Sequence, residues 1–293
     1  MDEAVAQTQI YRSAIISYVY RITGSLEDAK DITQETILKY IHSNTQEIKS
    51  PKAWMFKVAT NLSWDFLKSA QHKRESYIGP WLPEPYLEES FDVEEELELD
   101  ESLSMALLVV MERLSPKEKS VYILHDIFDF SHKEVADIVN TSVQNSRQLS
   151  SRANKKLKID KSSFTPSKDE HIQLTNSFLE AVKIGDFDNL KKIFSDEIKF
   201  HSDGGGKAVA FRKVLYKDSR YISEFFVNNV SKLILEENEG SRVETRWFNG
   251  SLGVIVVHKN CIVTAFSFEI RNTKISAVYA LRNPDKLKLF VTA

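Results

Sequence analysis

The sequence has a single cysteine, Cys261, and no long apolar run. One thiol cannot form an intramolecular disulfide, so we expect a cytoplasmic protein. The first residues lack a basic stretch followed by an apolar one, which predicts no signal peptide. No segment approaches the length of a membrane span, and the histidines are too scattered for metal-ligand spacing. We therefore expect a soluble protein without a metal or cofactor.

The net charge of −3 also lacks the positive excess of a nucleic-acid-binding protein. The charges are segregated, however. Residues 84–101 contain ten carboxylates and no Lys or Arg, whereas residues 147–161 contain six Lys or Arg and one carboxylate. A basic segment set apart from an acidic one indicates a module that binds a polyanion.

The 293 residues suit two or three domains. Apolar residues recur at helical spacing from about Ala4 to Gln71 and again over 103–158. Three prolines within residues 80–85 exclude a regular helix there. The last third is different, because helical patterns between His171 and Phe194 are followed by alternating ones. We predict two all-α domains at 1–76 and 103–161, a proline-rich and then acidic linker at 77–102, and an α+β domain at 168–293.

Four strands are predicted in the α+β domain, at 243–248, 253–258, 261–269 and 275–281. Turns are predicted at Asn249-Gly250 and at Arg271-Asn272.

The segment from Leu114 to Leu157 has the pattern of a helix-turn-helix. Ser131 begins an S-x-x-E capping box, and Thr141-Ser142 can cap a second, basic helix. The second helix of such a motif lies in the major groove. It offers these side chains to base edges and phosphates: Ser142, Gln144, Asn145, Arg147, Gln148, Ser151, Arg152 and Lys155. Val143, Leu149 and Leu157 are left to pack inward. The alternative is a basic surface on an ordinary helical hairpin.

The first domain has a second candidate surface between Lys49 and Arg74, where six basic residues are interleaved with four aromatic ones. This mixture suits single-stranded nucleic acid, whose phosphates are neutralised while its bases stack. The alternative is that aromatics at helical spacing form the core, as we expect of Trp54 and Phe66.

The order of these pieces resembles a known family. Residues 27–36 (EDAKDITQET) and 51–62 (PKAWMFKVATNL) resemble domain 2 of extracytoplasmic-function (ECF) sigma factors, and residues 114–157 resemble their domain 4. Three further motifs, at 81–85 (WLPEP), 203–207 (DGGGK) and 283–287 (NPDKL), resemble the signatures of one ECF subgroup. That subgroup carries a SnoaL-like C-terminal extension with the ketosteroid-isomerase-like cone fold.

The resemblance implies roles for individual residues. It places Asp31, Gln34 and Glu35 on the helix that docks on the β′ clamp helices of core RNA polymerase, and domain 4 on the β flap. Residues 42–52, including Lys52, and Asn61 match the part that captures the melted −10 element. Residues 144–152 match the helix that reads the −35 element. Ser146 and Ser150 depart from the pattern, because relatives usually have aliphatic residues there.

The resemblance also implies a regulatory contact between the three motifs. Three consecutive glycines permit positive φ and close backbone approach, so the loop can press against another segment; the alternative is a flexible turn. The C-terminal domain would act like a fused anti-sigma element. The residues expected in this contact are Trp81, Leu82, Pro83, Glu84 and Pro85 of the linker, Asp203, Gly204, Gly205, Gly206 and Lys207 of the loop, and Asn283, Pro284, Asp285, Lys286 and Leu287 near the end.

Two other functions compete with a sigma factor. The first is a helix-turn-helix regulator that senses a ligand and acts without polymerase. The second is an isomerase or hydratase, since the cone fold hosts such enzymes and also offers space for a small ligand. We expect no enzyme, because fold analogy is a weak guide to chemistry and the candidates have no diagnostic spacing. Those candidates are His201, Asp203, Tyr216, Tyr221 and Tyr279.

Overall fold

A computed structural model describes residues 2–75, 77–87, 103–157, 167–231 and 240–290. The described residues form two compact units. The first contains the helices before residue 76 and most of residues 103–157, and the second contains residues 77–87 and the C-terminal third. No described helix has the length and apolarity needed to cross a membrane.

The first unit is all-helical, as the periodicity predicts. Serine side chains cap five of its helices, because each accepts a hydrogen bond from the backbone N–H three residues on. They are Ser25, Ser50, Ser115, Ser131 and Ser142. The S-x-x-E motif at Ser131 forms the predicted capping box. The helices are α1 (Asp2–Thr23), α2 (Leu26–Ile41), α3 (Pro51–Glu75), α4 (Met105–Met111), α5 (Pro116–Tyr122), α6 (His132–Ile138) and α7 (Val143–Leu157).

The two predicted helical domains share a core within this unit. Tyr18 and Phe56 come from α1 and α3, whereas Phe128 and Phe130 lie between α5 and α6. The Phe56 ring is 5.5 Å from that of Phe128 and 5.1 Å from that of Phe130, between centroids. Further on, the Trp64 indole N–H donates to the Ser120 hydroxyl over 2.9 Å. The helix-turn-helix therefore packs directly on the N-terminal helices.

The second unit has helices on a six-stranded sheet of order β2-β1-β6-β5-β4-β3. Strands β1 and β6 are parallel, and the other neighbours are antiparallel. The elements are α8 (Lys168–Ile184), α9 (Phe187–Ile193), β1 (Phe194–Asp203), β2 (Leu215–Asp218), α10 (Ser219–Phe225), β3 (Ser241–Phe248), β4 (Ser251–His258), β5 (Cys261–Arg271), β6 (Lys274–Leu281) and α11 (Pro284–Leu287).

All four predicted strands are present, but two strands were missed. The sequence pattern assigned Phe194 to the end of a helix, whereas it begins β1, and β2 was not predicted at all. The hairpin turn at Asn249-Gly250 has positive φ at both residues (51° and 67°), as predicted. The next turn lies at Asn272-Thr273, one residue beyond the prediction, because these two residues have the positive φ values there.

Candidate nucleic-acid interface and linker site

Helix α7 presents the predicted polar residues on its solvent side. Ser142 caps the helix by accepting a hydrogen bond from the Asn145 backbone N–H (3.1 Å). The side-chain amide of Asn145, which is half-buried, donates to Thr141 Oγ1. The remaining candidates are all exposed: Ser142, Gln144, Arg147, Gln148, Ser151, Arg152 and Lys155. This face therefore combines two arginines and a lysine with amides and hydroxyls, which suits base edges and phosphates.

The opposite side of α7 is buried, with one correction. Leu149 and Leu157 pack inward as predicted. Val143 does not, since 37% of its surface is exposed. It is the first residue of α7 and precedes the buried stripe, which begins at Ser146.

The two serines in place of aliphatic residues are buried and hydrogen-bonded. Ser146 Oγ lies 3.1 Å from His132 Nδ1, and Ser150 Oγ donates to the Asp126 carboxylate over 3.4 Å. A buried polar atom is tolerated when it has such a partner. These positions therefore pack through a polar network, and the helix keeps the predicted face outward.

The polar network includes a pair of stacked imidazoles, which gives a pH prediction. The His125 and His132 rings stack with centroids 3.9 Å apart. Burial, and then the charges of His125 and Arg147, lower the pKa of His132 below its usual 6.5, although Asp126 opposes this. As the pH falls through 6.5, the unfolded chain binds a proton that the folded His132 resists, so this contribution to stability is lost. In urea unfolding at about pH 7.5 and 5.5, the free energy of unfolding should fall more on acidification for the wild type than for His132→Gln. An equal loss would contradict the assignment.

The predicted single-strand surface contains a pocket of about 480 Å³. Its walls come mainly from residues 43–57, including Lys49 and Trp54, and Asp137 and Ile138 of α6 complete it. Trp54 is half-buried against Tyr40, with centroids 5.6 Å apart, so it is part core and part pocket wall.

The two other residues predicted to contact this strand are placed differently. Asn61 is exposed on α3. The Lys52 ammonium lies 4.5 Å from the centroid of the Phe130 ring, which belongs to the helix-turn-helix segment. Lys52 therefore contacts the other helical domain in this arrangement.

Asp31, Gln34 and Glu35 are exposed on one face of α2. Their i, i+3, i+4 spacing places them together, and Leu38, 47% exposed, extends the same face by one turn. The Glu35 carboxylate pairs with Lys39 at 3.2 Å across an exposed surface, which holds it only weakly.

The linker motif contacts the C-terminal domain through a buried carboxylate. Asp203, at the end of β1, is fully buried. Its Oδ1 accepts hydrogen bonds from the Tyr77 hydroxyl (2.5 Å) and the Gly205 backbone N–H (3.0 Å). Its Oδ2 accepts from the Leu82 backbone N–H (2.9 Å) and the Lys286 ammonium (2.8 Å). We call this group, with Trp81 and Asn283, the linker clasp.

Lys286 closes the linker clasp from the other side. Its side chain is nearly buried, and the ammonium donates to the Leu82 carbonyl as well as to Asp203. The ammonium also lies 4.4 Å from the centroid of the Trp81 ring. Burial, and then the hydrogen bond to Asp203, raise the pKa of Tyr77, so its hydroxyl keeps its proton and donates it to the carboxylate. The clasp thus pairs each buried charge with an opposite charge and with hydrogen bonds.

A second attachment follows along the linker and was not predicted. The Asn249 side chain accepts from the Tyr86 N–H (3.2 Å), and its backbone N–H donates to the Tyr86 carbonyl (2.8 Å). Leu82, Tyr86 and Leu87 are buried. The sequence assigned Asn249 only to a turn and did not single out Tyr77 or Tyr86.

The glycines of the loop are required by close packing. A Cβ on Gly205, whose φ is +60°, would lie 2.4 Å from the Asn283 side-chain nitrogen, and one on Gly204 would lie 2.3 Å from the Ala208 carbonyl oxygen. Gly206, with φ +71°, packs on Ile78. The loop is therefore a fixed contact surface.

The other motif residues have more peripheral places. Lys207 and Asp285 pair with each other, but both remain more than half exposed. Asn283 caps α11 and also donates to the Tyr77 hydroxyl (2.9 Å). Pro83, Pro85 and Leu287 are buried, Glu84 is half-buried, and Pro284 is exposed as the first residue of α11.

The five side chains considered as an acid–base set do not converge. Tyr216 and Tyr221 are exposed, at 65% and 43%. The His201 ring packs on that of Tyr279, with centroids 4.8 Å apart, and Asp203 belongs to the linker clasp. Within the described ranges, no group of three metal-ligating side chains occurs.

Comparison with known proteins gives matches along the whole chain. The model of Sigma-70 region 2 matches residues 9–73, and that of Sigma-70, region 4 matches residues 104–157. The ECF RNA polymerase sigma factor SigJ of Mycobacterium tuberculosis (strain ATCC 25618 / H37Rv) is 30% identical over 296 residues, covering 96% of this chain and 92% of the relative. The probable ECF RNA polymerase sigma factor SigI of the same species (strain CDC 1551 / Oshkosh) is 28% identical over 194 residues, covering 66% and 67%.

The fold is also similar to a solved structure. The crystal structure of Mycobacterium tuberculosis SigJ superposes with a TM-score of 0.76 at 26% identity, covering 97% of this chain and 98% of that one. The fold class predicted above, two helical domains followed by an α+β domain, is confirmed.

Proposed function

This chain belongs to the extracytoplasmic-function sigma factors, which direct core RNA polymerase to specific promoters and are not enzymes, and we propose that its own C-terminal domain regulates it by holding the linker. The observation that carries the regulatory part is the linker clasp, in which Asp203 and Lys286 bind both backbone groups of Leu82. A linker segment bound in this way is unavailable for another partner.

The described surfaces support a division of promoter contacts. The exposed polar face of α7 reads the −35 element as duplex DNA in the major groove. The pocket beside Trp54 and Lys49 receives the melted −10 strand, with Asn61 on the same helix as Trp54. The exposed face of Asp31, Gln34 and Glu35 docks on the β′ clamp helices, and the helix-turn-helix domain on the β flap. Such a protein works where polymerase does, in the cytoplasm.

The first unit, as packed, is a closed form that cannot read both elements. The −35 and −10 elements lie about 25 base pairs apart, since their numbers give their positions along the promoter. At ~3.4 Å per base pair this corresponds to about 85 Å of duplex. The two DNA-reading parts, however, share a core, and α6 forms part of the wall of the −10 pocket. Binding to polymerase and promoter therefore requires the two helical domains to separate.

Opening gives a prediction at Phe128. This half-buried ring contacts Tyr18, Phe56 and the Arg21 guanidinium, all from the N-terminal helices. Since an aromatic pair contributes about 0.5–1.5 kcal/mol beyond its buried area, Phe128→Ala should weaken the closed form and raise initiation. Fluorescence energy transfer between labels on α2 and α7 measures the separation. Phe128→Tyr, which keeps the ring at this half-buried position, is the matched control. Unchanged transfer in Phe128→Ala would contradict the closed form.

The acidic half of the linker is assigned to the polymerase interior, near the path of the nascent RNA, because of its charge. Most of that stretch, residues 88–102, lies outside the described residues. Reversing several of its carboxylates to Lys should impair initiation, and unaltered initiation would remove this assignment.

Transcription in vitro with core polymerase tests the proposal as a whole. The double variant Asp31→Arg/Glu35→Arg should lose core polymerase in a pull-down, because it reverses the charge of the docking face. Asp65→Arg, which reverses an exposed carboxylate of α3, is the control and should bind normally. Specific binding of promoter DNA by the chain in the absence of polymerase would instead support the ligand-sensing regulator.

A further inference from the structure

The C-terminal domain contains a cavity that has no part in the functions above. Its volume is about 200 Å³, and residues of α10, four strands and the loop after Lys207 line it. Three of its rings, Phe200, Phe211 and Phe225, pack against one another with centroids 5.3 to 5.7 Å apart. One side of the cavity is therefore aromatic.

Among the described residues that line this cavity, Arg282 is the one that is charged, and Ser202 and Thr264 contribute hydroxyls to the same lining. Its Nη1 donates to the Val209 carbonyl. Its Nε is buried and has no hydrogen-bond partner in the described part of the chain. Burial lowers the pKa of Arg282. Arg282 as a whole is half-buried, and a guanidinium has five N–H donors, so it can donate to an anion in the cavity as well as to Val209.

We propose that the cavity binds a small monocarboxylic acid with an apolar, ring-sized body, whose carboxylate accepts hydrogen bonds from Arg282. A carboxylate matches the planar donor fork of a guanidinium. A single cation in the lining favours one negative charge over a polyphosphate. The size also agrees, because an engineered cavity of about 150 Å³ holds benzene, so about 200 Å³ admits a ring with its carboxylate.

The position of Arg282 connects this cavity to the linker clasp, a step that rests on the regulatory function proposed above. The Arg282 backbone N–H donates to the Asp203 carbonyl over 2.7 Å. The next residue, Asn283, donates to Tyr77 and lies beneath Gly205. An acid bound to Arg282 would order the chain on which the clasp is built, so the clasp should tighten.

Isothermal titration calorimetry of the full-length chain with sodium benzoate tests the site. Saturable one-to-one binding is expected. Benzyl alcohol, which has the same ring without the charge, should bind about 10- to 150-fold more weakly, the effect of losing a hydrogen bond to a charged group. Arg282→Gln should lose benzoate affinity by a similar factor, whereas Arg271→Gln, an exposed arginine outside the cavity, should not. If Arg282→Gln misfolds, the affinities of the wild type for benzoate and for benzyl alcohol still decide whether the cavity selects a carboxylate.

The outcomes separate the cavity from the clasp. No saturable benzoate binding, or equal affinity for benzyl alcohol, overturns the carboxylate site. Hydrogen exchange of the Leu82 amide, which donates to Asp203, should slow when benzoate is bound. Saturable binding with unchanged Leu82 exchange overturns the connection and leaves the site. If Asp203→Asn does not alter Leu82 exchange, the clasp itself fails, but the calorimetric comparison remains decisive for the cavity.

Discussion

Asp203→Asn should release the linker and raise transcription from the cognate promoter. The substitution keeps the shape of the side chain but leaves the Lys286 ammonium buried without its anion. Breaking one partner of a buried ion pair costs about 3–5 kcal/mol, and Asp203 is fully buried. The Leu82 amide should then exchange faster by a factor of about 10² to 4 × 10³, since each factor of ten corresponds to about 1.4 kcal/mol. Hydrogen exchange at Leu82 and transcription in vitro measure the two effects.

The controls for this experiment lie in the same motifs. Lys207→Met removes an ion pair that is more than half exposed, which should change stability by less than about 1 kcal/mol. The double variant Asp203→Asn/Lys286→Met removes both buried charges, so it should cost less than the sum of the single variants. Additive costs would mean that the two charges do not act as a pair. Faster Leu82 exchange without a rise in transcription would separate the contact from regulation.

Arg147→Ala should weaken promoter-specific transcription by about 5- to 150-fold. Arg147 is exposed in the first turns of α7, where helix-turn-helix proteins contact base edges. Losing a bidentate contact to a base costs about 1–3 kcal/mol and relaxes the preference at that position. Binding of promoter variants by the polymerase complex measures the change.

Lys155, near the end of the same helix, is the comparison. Lys155→Ala should weaken binding to all sequences alike and reduce the salt dependence by about one counterion, as expected of a phosphate contact. Lys192→Ala, which removes an exposed lysine of α9 outside the helix-turn-helix, should leave binding unchanged. If the wild type and Arg147→Ala show the same preferences among the promoter variants, α7 is excluded as the reader of the −35 element.

The elements predicted correctly are those with local patterns. The capping box at Ser131 and the turn at Asn249-Gly250 are each determined by residues within four positions of one another. Strands β1 and β2 have no such pattern. Strand β1 is defined by pairing with β6, about 80 residues further along the chain, so sequence periodicity over a short window could not identify it.

The sites divide in the same way. The sequence by itself determined the helical domains, the polar face of α7 and, through resemblance, the three motifs of the linker contact. Only the tertiary structure decided that Asp203 bonds Tyr77, Leu82 and Lys286, which are separated from it by 126, 121 and 83 positions. It also decided that the helical domains share a core and that Arg282 Nε has no described acceptor. Charge compensation and burial depend on which distant residues meet, and folding brings those residues together.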